Sequence, residues 1–142
     1  MIVVLDTNIW VSAIIWGGIP DEIISLQEQR KIEIASSQKL LNELENTFNK
    51  KKIQTKLEAL QLTTASAISL VYESVNIYPI EELIVPELRD PDDTVVLATA
   101  IAANAEVIIT GDRDLLVLQE YQNMKIMTAT DFLEQYFNVS SI

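Results

Sequence analysis

The sequence predicts a three-layer α/β/α domain with a central, mainly parallel five-stranded sheet, formed as a single unit over residues 1–142. Two observations carry this. Short apolar segments alternate with helical segments five times, which is the pattern of a sheet covered on both faces. The apolar segments are rich in Val and Ile and show no polar alternation, as expected of strands buried on both sides. A third observation concerns placement: acidic residues follow the strands, and ligands of open α/β sheets bind beyond the carboxyl ends of their strands.

Each element has its own reason. "MIVVL" is a buried strand. "NIWVSAIIW" reads as a helix and "GGIP" breaks it; Asp21 and Glu22 then suit the first turn of a second helix after Pro20. Trp10 and Trp16 read as core residues of the first helix, with a subunit interface as the second reading. "IEIAS" is the next strand. "QKLLNELENTFNK" is helical, with Leu40, Leu44 and Phe48 at i, i+4 and i+8. One long helical stretch follows, through "KLEALQLTTASAISLVYES", and "VNIYP" reads as the third strand. "IEELIVPELRDPD" is the least regular segment. "DDTVVLATAIAANA" is a helix apolar nearly all round, hence buried, with Asp92 or Asp93 as its cap. "EVIIT" is a strand, "GDRD" a turn, and "LLVLQEY" a short helix capped by Asp112 or Asp114. "KIMTA" is the last strand, and "TDFLEQYF" the last helix, capped by Thr130 or Asp131.

Composition narrows the chemistry. There is no cysteine and no histidine. Thiol nucleophiles, Ser-His-Asp catalysis, histidine bases and the usual zinc ligand sets are therefore excluded. Oxygen ligands remain, and they suit hard ions such as Mg²⁺ or Mn²⁺. The net charge of −11 repels nucleic acid except where a metal or a local basic patch reverses the field. Lys50, Lys51, Lys52 and Lys56 are the only dense basic cluster and read first as a solvated helix end; Arg89 and Arg113 flank acidic motifs. No apolar run is long enough to span a bilayer and no signal peptide is evident, so a cytoplasmic protein without membrane contact is expected.

Asp6, Asp90, Asp92, Asp93, Asp112 and Asp114 sit where the topology can gather them at one sheet edge. Each also reads singly as a helix cap or a solvated charge. Periodicity does not choose between Glu43 and Glu45, which lie on opposite borders of their helix's apolar arc. A receiver-type phosphoacceptor domain would want an Asp ending the third strand and a Lys ending the fifth, and neither is present. A haloacid-dehalogenase-like phosphatase would want an Asp where Asn8 stands.

Four segments, "VVLDTNIWVSA", "LLNELENTF", "RDPDDTVVLATAIAANAEVIITGDRDLLVL" and "IMTATDFLEQ", together resemble a PIN domain, the nuclease fold of the VapC-type toxins of toxin–antitoxin systems. The late block is the most specific of the four. The resemblance implies a Mg²⁺- or Mn²⁺-dependent endoribonuclease whose metal-binding, catalytic carboxylates are Asp6, Glu43, Asp93 and Asp112. Asp114 belongs to the same motif; whether it or Asp112 is the fourth ligand stays open, and Asp114 reads first as the following helix's cap. Asn8 and Thr110 match supporting polar positions, and Arg113 is the candidate phosphate contact. The implied partners are an RNA substrate, an antitoxin protein and a second copy in a homodimer. The rival from another class is a catalytically inactive PIN module serving as a protein-binding scaffold.

Overall fold

A computed structural model of the chain describes residues 1–86 and 88–137. Five parallel strands run in the order β3-β2-β1-β4-β6, namely β1 (Ile2–Leu5), β2 (Glu33–Ser36), β3 (Val75–Ile77), β4 (Val107–Ile109) and β6 (Met124–Met127). A sixth, β5 (Glu120–Tyr121), pairs antiparallel with β6 at the edge. The expected sheet had five strands, and residues 115–121 were expected to be helical. Instead a short helix, α7 (Arg113–Leu116), gives way to β5. Gln122 and Asn123 both take positive φ, so a two-residue hairpin turn joins β5 to β6. The turn lacks the Asn-Gly or Asp-Gly pair that would advertise it in sequence.

The period of two along each strand divides the core. Val3 and Leu5 of β1 face one layer and Val4 faces the other. The first layer holds α1 (Thr7–Trp16), α2 (Gly18–Glu28), α3 (Gln38–Phe48), α4 (Lys51–Ala59), α5 (Thr64–Ser74) and α8 (Ala129–Phe137). The second is built on α6 (Pro91–Ala103), with Leu115 of α7 and the irregular segment carrying Val85 and Leu88. Leu40, Leu44 and Phe48 are all buried, as their spacing requires. Ser37 Oγ and Thr99 Oγ1 lie 2.8 Å apart in the interior and join the start of α3 to α6.

Several boundaries differ from the expectation, each for a local reason. The long helical stretch is broken between α4 and α5. Gln61 takes φ 60, and Thr63 and Ser66 cap each other's backbone N–H groups. α2 starts at Gly18, before Pro20; Gly17 (φ 68) makes the 99° bend from α1 that only glycine adopts without strain. Asp90, rather than Asp92 or Asp93, caps α6 by accepting from the Asp92 N–H. Thr128, rather than Thr130 or Asp131, accepts from the Asp131 N–H at the start of α8. Trp10 is buried at 3% exposure, but Trp16 is 68% exposed and lies outside the core. No single helix among the described residues is long and apolar enough to cross a membrane.

Candidate metal centre

Chain direction along the sheet reverses at β1. The chain runs outward through β2 and β3, then returns to place β4 on the other side of β1. The carboxyl ends of β1 and β4 are therefore neighbours at the switch point, where α/β sheets bind ligands. The ladder continues past the strands: the Asp6 N–H donates to the Ile109 carbonyl at 3.0 Å. Asp6 thus sits on rigid backbone and is also the cap of α1.

Both Asp6 oxygens are held. Oδ1 accepts from the Thr7 N–H at 2.7 Å, and Oδ2 accepts from Thr110 Oγ1 at 2.7 Å. The Thr110 hydroxyl also accepts from the Asp112 N–H at 3.0 Å, so one buried side chain ties the ends of β1 and β4 together. Asp112 Oδ1 accepts from the Asp114 N–H at 2.8 Å and caps α7. The cap of this helix is therefore Asp112, and the reading of Asp114 as cap is corrected.

Asp93 comes from a third element, the first turn of α6, where the N-terminal helix dipole favours a carboxylate. It is 4% exposed. One ligand oxygen from each of Asp6, Asp93 and Asp112 fits within 4.8 Å of the others. Asp93 Oδ2 is buried and has no hydrogen-bond partner among the described residues. A buried carboxylate oxygen left so is costly unless a cation or donor meets it. Three convergent carboxylates with one unpaired buried oxygen fit a hard divalent cation such as Mg²⁺ or Mn²⁺.

The electrostatics agree with the geometry. Burial, then a hydrogen bond that a protonated Asp93 shares with the Asp112 side chain, pushes Asp93 up to about 7; without that proton no donor among the described residues meets Oδ2. Burial, then the Asp92 and Asp6 charges, pushes Glu43 up to about 7. Burial raises Asp6 as well, against the lowering effect of its bonds to Thr110 and Thr7. The metal-free cluster is thus short of positive charge at neutral pH.

Glu43 stands beside the trio on α3, in the same cleft of about 530 Å³. Its Oε1 lies 3.4 Å from Thr7 Oγ1. Glu45 is exposed and does not line the cleft, which separates the two glutamates that periodicity could not. Asn8 lines the cleft from the first turn of α1. Asp114 lies apart from the trio and pairs with Arg89 at 3.6 Å. Arg113 is exposed on α7 and is not among the residues lining the cleft. The wall also carries Lys39, Asn42 and Asn46 of α3, and Lys50, the N-cap residue of α4. Sequence reasoning gave the first three no role, although they share the polar face of α3 with Glu43; that shared face was the available signal.

A PIN domain family model matches residues 2–114. No curated protein matches the chain. Among solved structures, the crystal structure of VapBC2 from Rickettsia felis bound to a DNA fragment from its promoter matches with a TM-score of 0.62 and 20% identity, covering 89% of this chain and 97% of that one. At that identity the likeness is one of fold. The family match begins in β1 and runs through Asp114, so it takes in every carboxylate of the cleft, and the chain belongs to the PIN domain family.

Proposed function

We propose that this protein is a metal-dependent endoribonuclease that hydrolyses phosphodiester bonds in RNA, as the toxin of a type II toxin–antitoxin pair. The observation that carries the reading is the convergence of Asp6, Asp93 and Asp112 around the unpaired Asp93 Oδ2. Asp6, Asp93 and Asp112 would hold Mg²⁺ or Mn²⁺, with Glu43 completing the set. When bound, the ion lowers the pKa of an attacking water and offsets charge on the phosphate.

The chain's own groups do the rest. Thr110 and the Thr7 N–H fix the rotamer of Asp6, so its oxygens need no reorganisation. Asp112 is fixed through its cap bond. Glu43, which accepts from Thr7 Oγ1 through Oε1, would complete the ligand set from the cleft wall formed by α3. Lys39 and Lys50 on the cleft rim offer the positive charge that a phosphate needs in a chain of net charge −11. The antitoxin partner rests on family membership and on the toxin–antitoxin assembly of the VapBC2 structure. A homodimer and a cytoplasmic site of action belong to the same reading.

The test is cleavage of a mixed single-stranded RNA pool in Mn²⁺ or Mg²⁺, with wild type beside Asp93→Asn, each with and without EDTA. Cleavage by wild type alone, abolished by EDTA, is the expected result. Equal cleavage by both proteins overturns the site assignment. A metal-stabilised wild type that cuts nothing points to the non-catalytic scaffold instead.

A further inference from the structure

Two helices leave the carboxylate cleft and meet again at an exposed indole. α1 starts at the cleft, with Asn8 in its lining, and ends at Trp16. α4 follows Lys50, another cleft residue, and carries Lys56. Lys56 Nζ lies 4.1 Å from the centre of the Trp16 ring, a cation–π contact, yet Trp16 keeps 68% of its surface exposed. Asn8, Ser12 and Trp16 share one face of α1 at i, i+4 and i+8, a run of about 12 Å. Lys52 and Lys56 stand one turn apart on α4. Four of the ten Lys and Arg residues of this acidic chain fall within Lys50–Lys56.

We propose that the strip from Asn8 to Trp16 is a track for single-stranded RNA, in which Trp16 stacks a base and Lys52 and Lys56 contact its phosphates a few nucleotides from the carboxylates. This rests on the ribonuclease reading for its direction of travel. An exposed aromatic flanked by lysines is the combination that binds single strands without sequence preference. A protein interface core is depleted in lysine, and the neighbours of Trp16 on this strip are polar or basic. RNA is therefore the better occupant. The outward reach also places substrate beyond the like-charged cleft, beside Lys52 and Lys56.

The test compares wild type, Trp16→Ala, Trp16→Phe and Lys56→Gln. Binding of labelled oligouridylate is followed by anisotropy and by intrinsic tryptophan emission, with Asp93→Asn added to every protein to suspend cleavage. Cleavage of a dinucleotide, too short to reach Trp16, is followed with Asp93 intact. The expected result is quenching of emission by RNA that Trp16→Phe removes with little change in affinity. Trp16→Ala weakens binding about tenfold, Lys56→Gln weakens it with a shallower salt dependence, and dinucleotide cleavage is unchanged. Unaltered affinity and retained quenching in Trp16→Ala overturn the track while leaving the ribonuclease intact. A Trp16→Ala protein that binds RNA normally but changes oligomeric state by light scattering overturns it in favour of a protein interface. Trp16-dependent binding without cleavage of any substrate sustains the track and overturns the ribonuclease reading.

Discussion

Thr110 Oγ1 donates to Asp6 Oδ2 across 104 positions of sequence, at 2.7 Å, from a side chain with no exposed surface. The same oxygen accepts from the Asp112 N–H. Thr110→Val keeps the shape and removes both bonds. It should destabilise the protein by about 1–2 kcal/mol. It should also cut metal-dependent RNA cleavage at least tenfold, because Asp6 loses the contact that sets its rotamer. Chemical denaturation and a cleavage assay at saturating Mn²⁺ measure the two effects. Full activity in a destabilised variant would confine Thr110 to a structural role.

Asp93→Asn should separate stability from function. At about pH 8, where Asp93 is ionised, it removes a buried charge from a repulsive cluster, so the EDTA-treated variant should melt several degrees above wild type. The rise in melting temperature that Mn²⁺ confers on wild type should vanish in the variant, since stabilisation by a native-state ligand scales with its affinity. Differential scanning calorimetry with and without metal reads both. A variant less stable than wild type in EDTA would contradict this account.

Stability should depend on pH in a definite direction. Asp93 and Glu43 bind their protons up to about pH 7 in the folded protein but near ordinary carboxylate values in the unfolded chain. Between about pH 4 and about pH 7 the folded state therefore holds protons that the unfolded state has lost, and metal-free stability falls as pH rises through that window. With Mn²⁺ present the trend should flatten or reverse, because the ligands must be deprotonated to bind. Melting temperatures in EDTA at about pH 5 and about pH 8 suffice, and a higher value at the alkaline end would sink the prediction.

Asp112 and Asp114 can be told apart by matched substitutions. Asp112→Asn keeps a capping side chain on α7, so it should fold normally and lose the metal-induced gain in stability. Asp114→Asn breaks only an exposed pair with Arg89, and its stability should stay within about 0.5 kcal/mol of wild type with metal response retained. A loss of metal response in Asp114→Asn alone would transfer the ligand role to it.

β1, β4 and the buried helix α6 were legible because burial on two faces leaves unbroken apolar runs, whereas β3 is largely exposed and β6 carries the exposed Lys125. The caps were less so. Runs such as Asp90–Asp93 and Thr128–Asp131 offer several capping side chains within one turn, and only backbone direction selects among them. Trp16 misled because its neighbours in sequence are apolar. The bend at Gly17 ends α1 there and leaves the indole outside the core. The carboxylate set could be named only through the family resemblance, since periodicity left Glu43 and Glu45 open; the Thr110 tie and the unpaired Asp93 oxygen depend on distances that no spacing encodes.

The bond from the Asp6 N–H to the Ile109 carbonyl has a consequence in time as well as space. During synthesis Asp6 is made before β4 and must wait for it to gain Thr110 and Asp112 as neighbours. A polypeptide interrupted before residue 107 has β1, β2 and β3 but no Thr110, no Asp112 and no switch point. Contacts of such long sequence separation also form late in folding. The trio of Asp6, Asp93 and Asp112 thus cannot gather until residue 112 has been made.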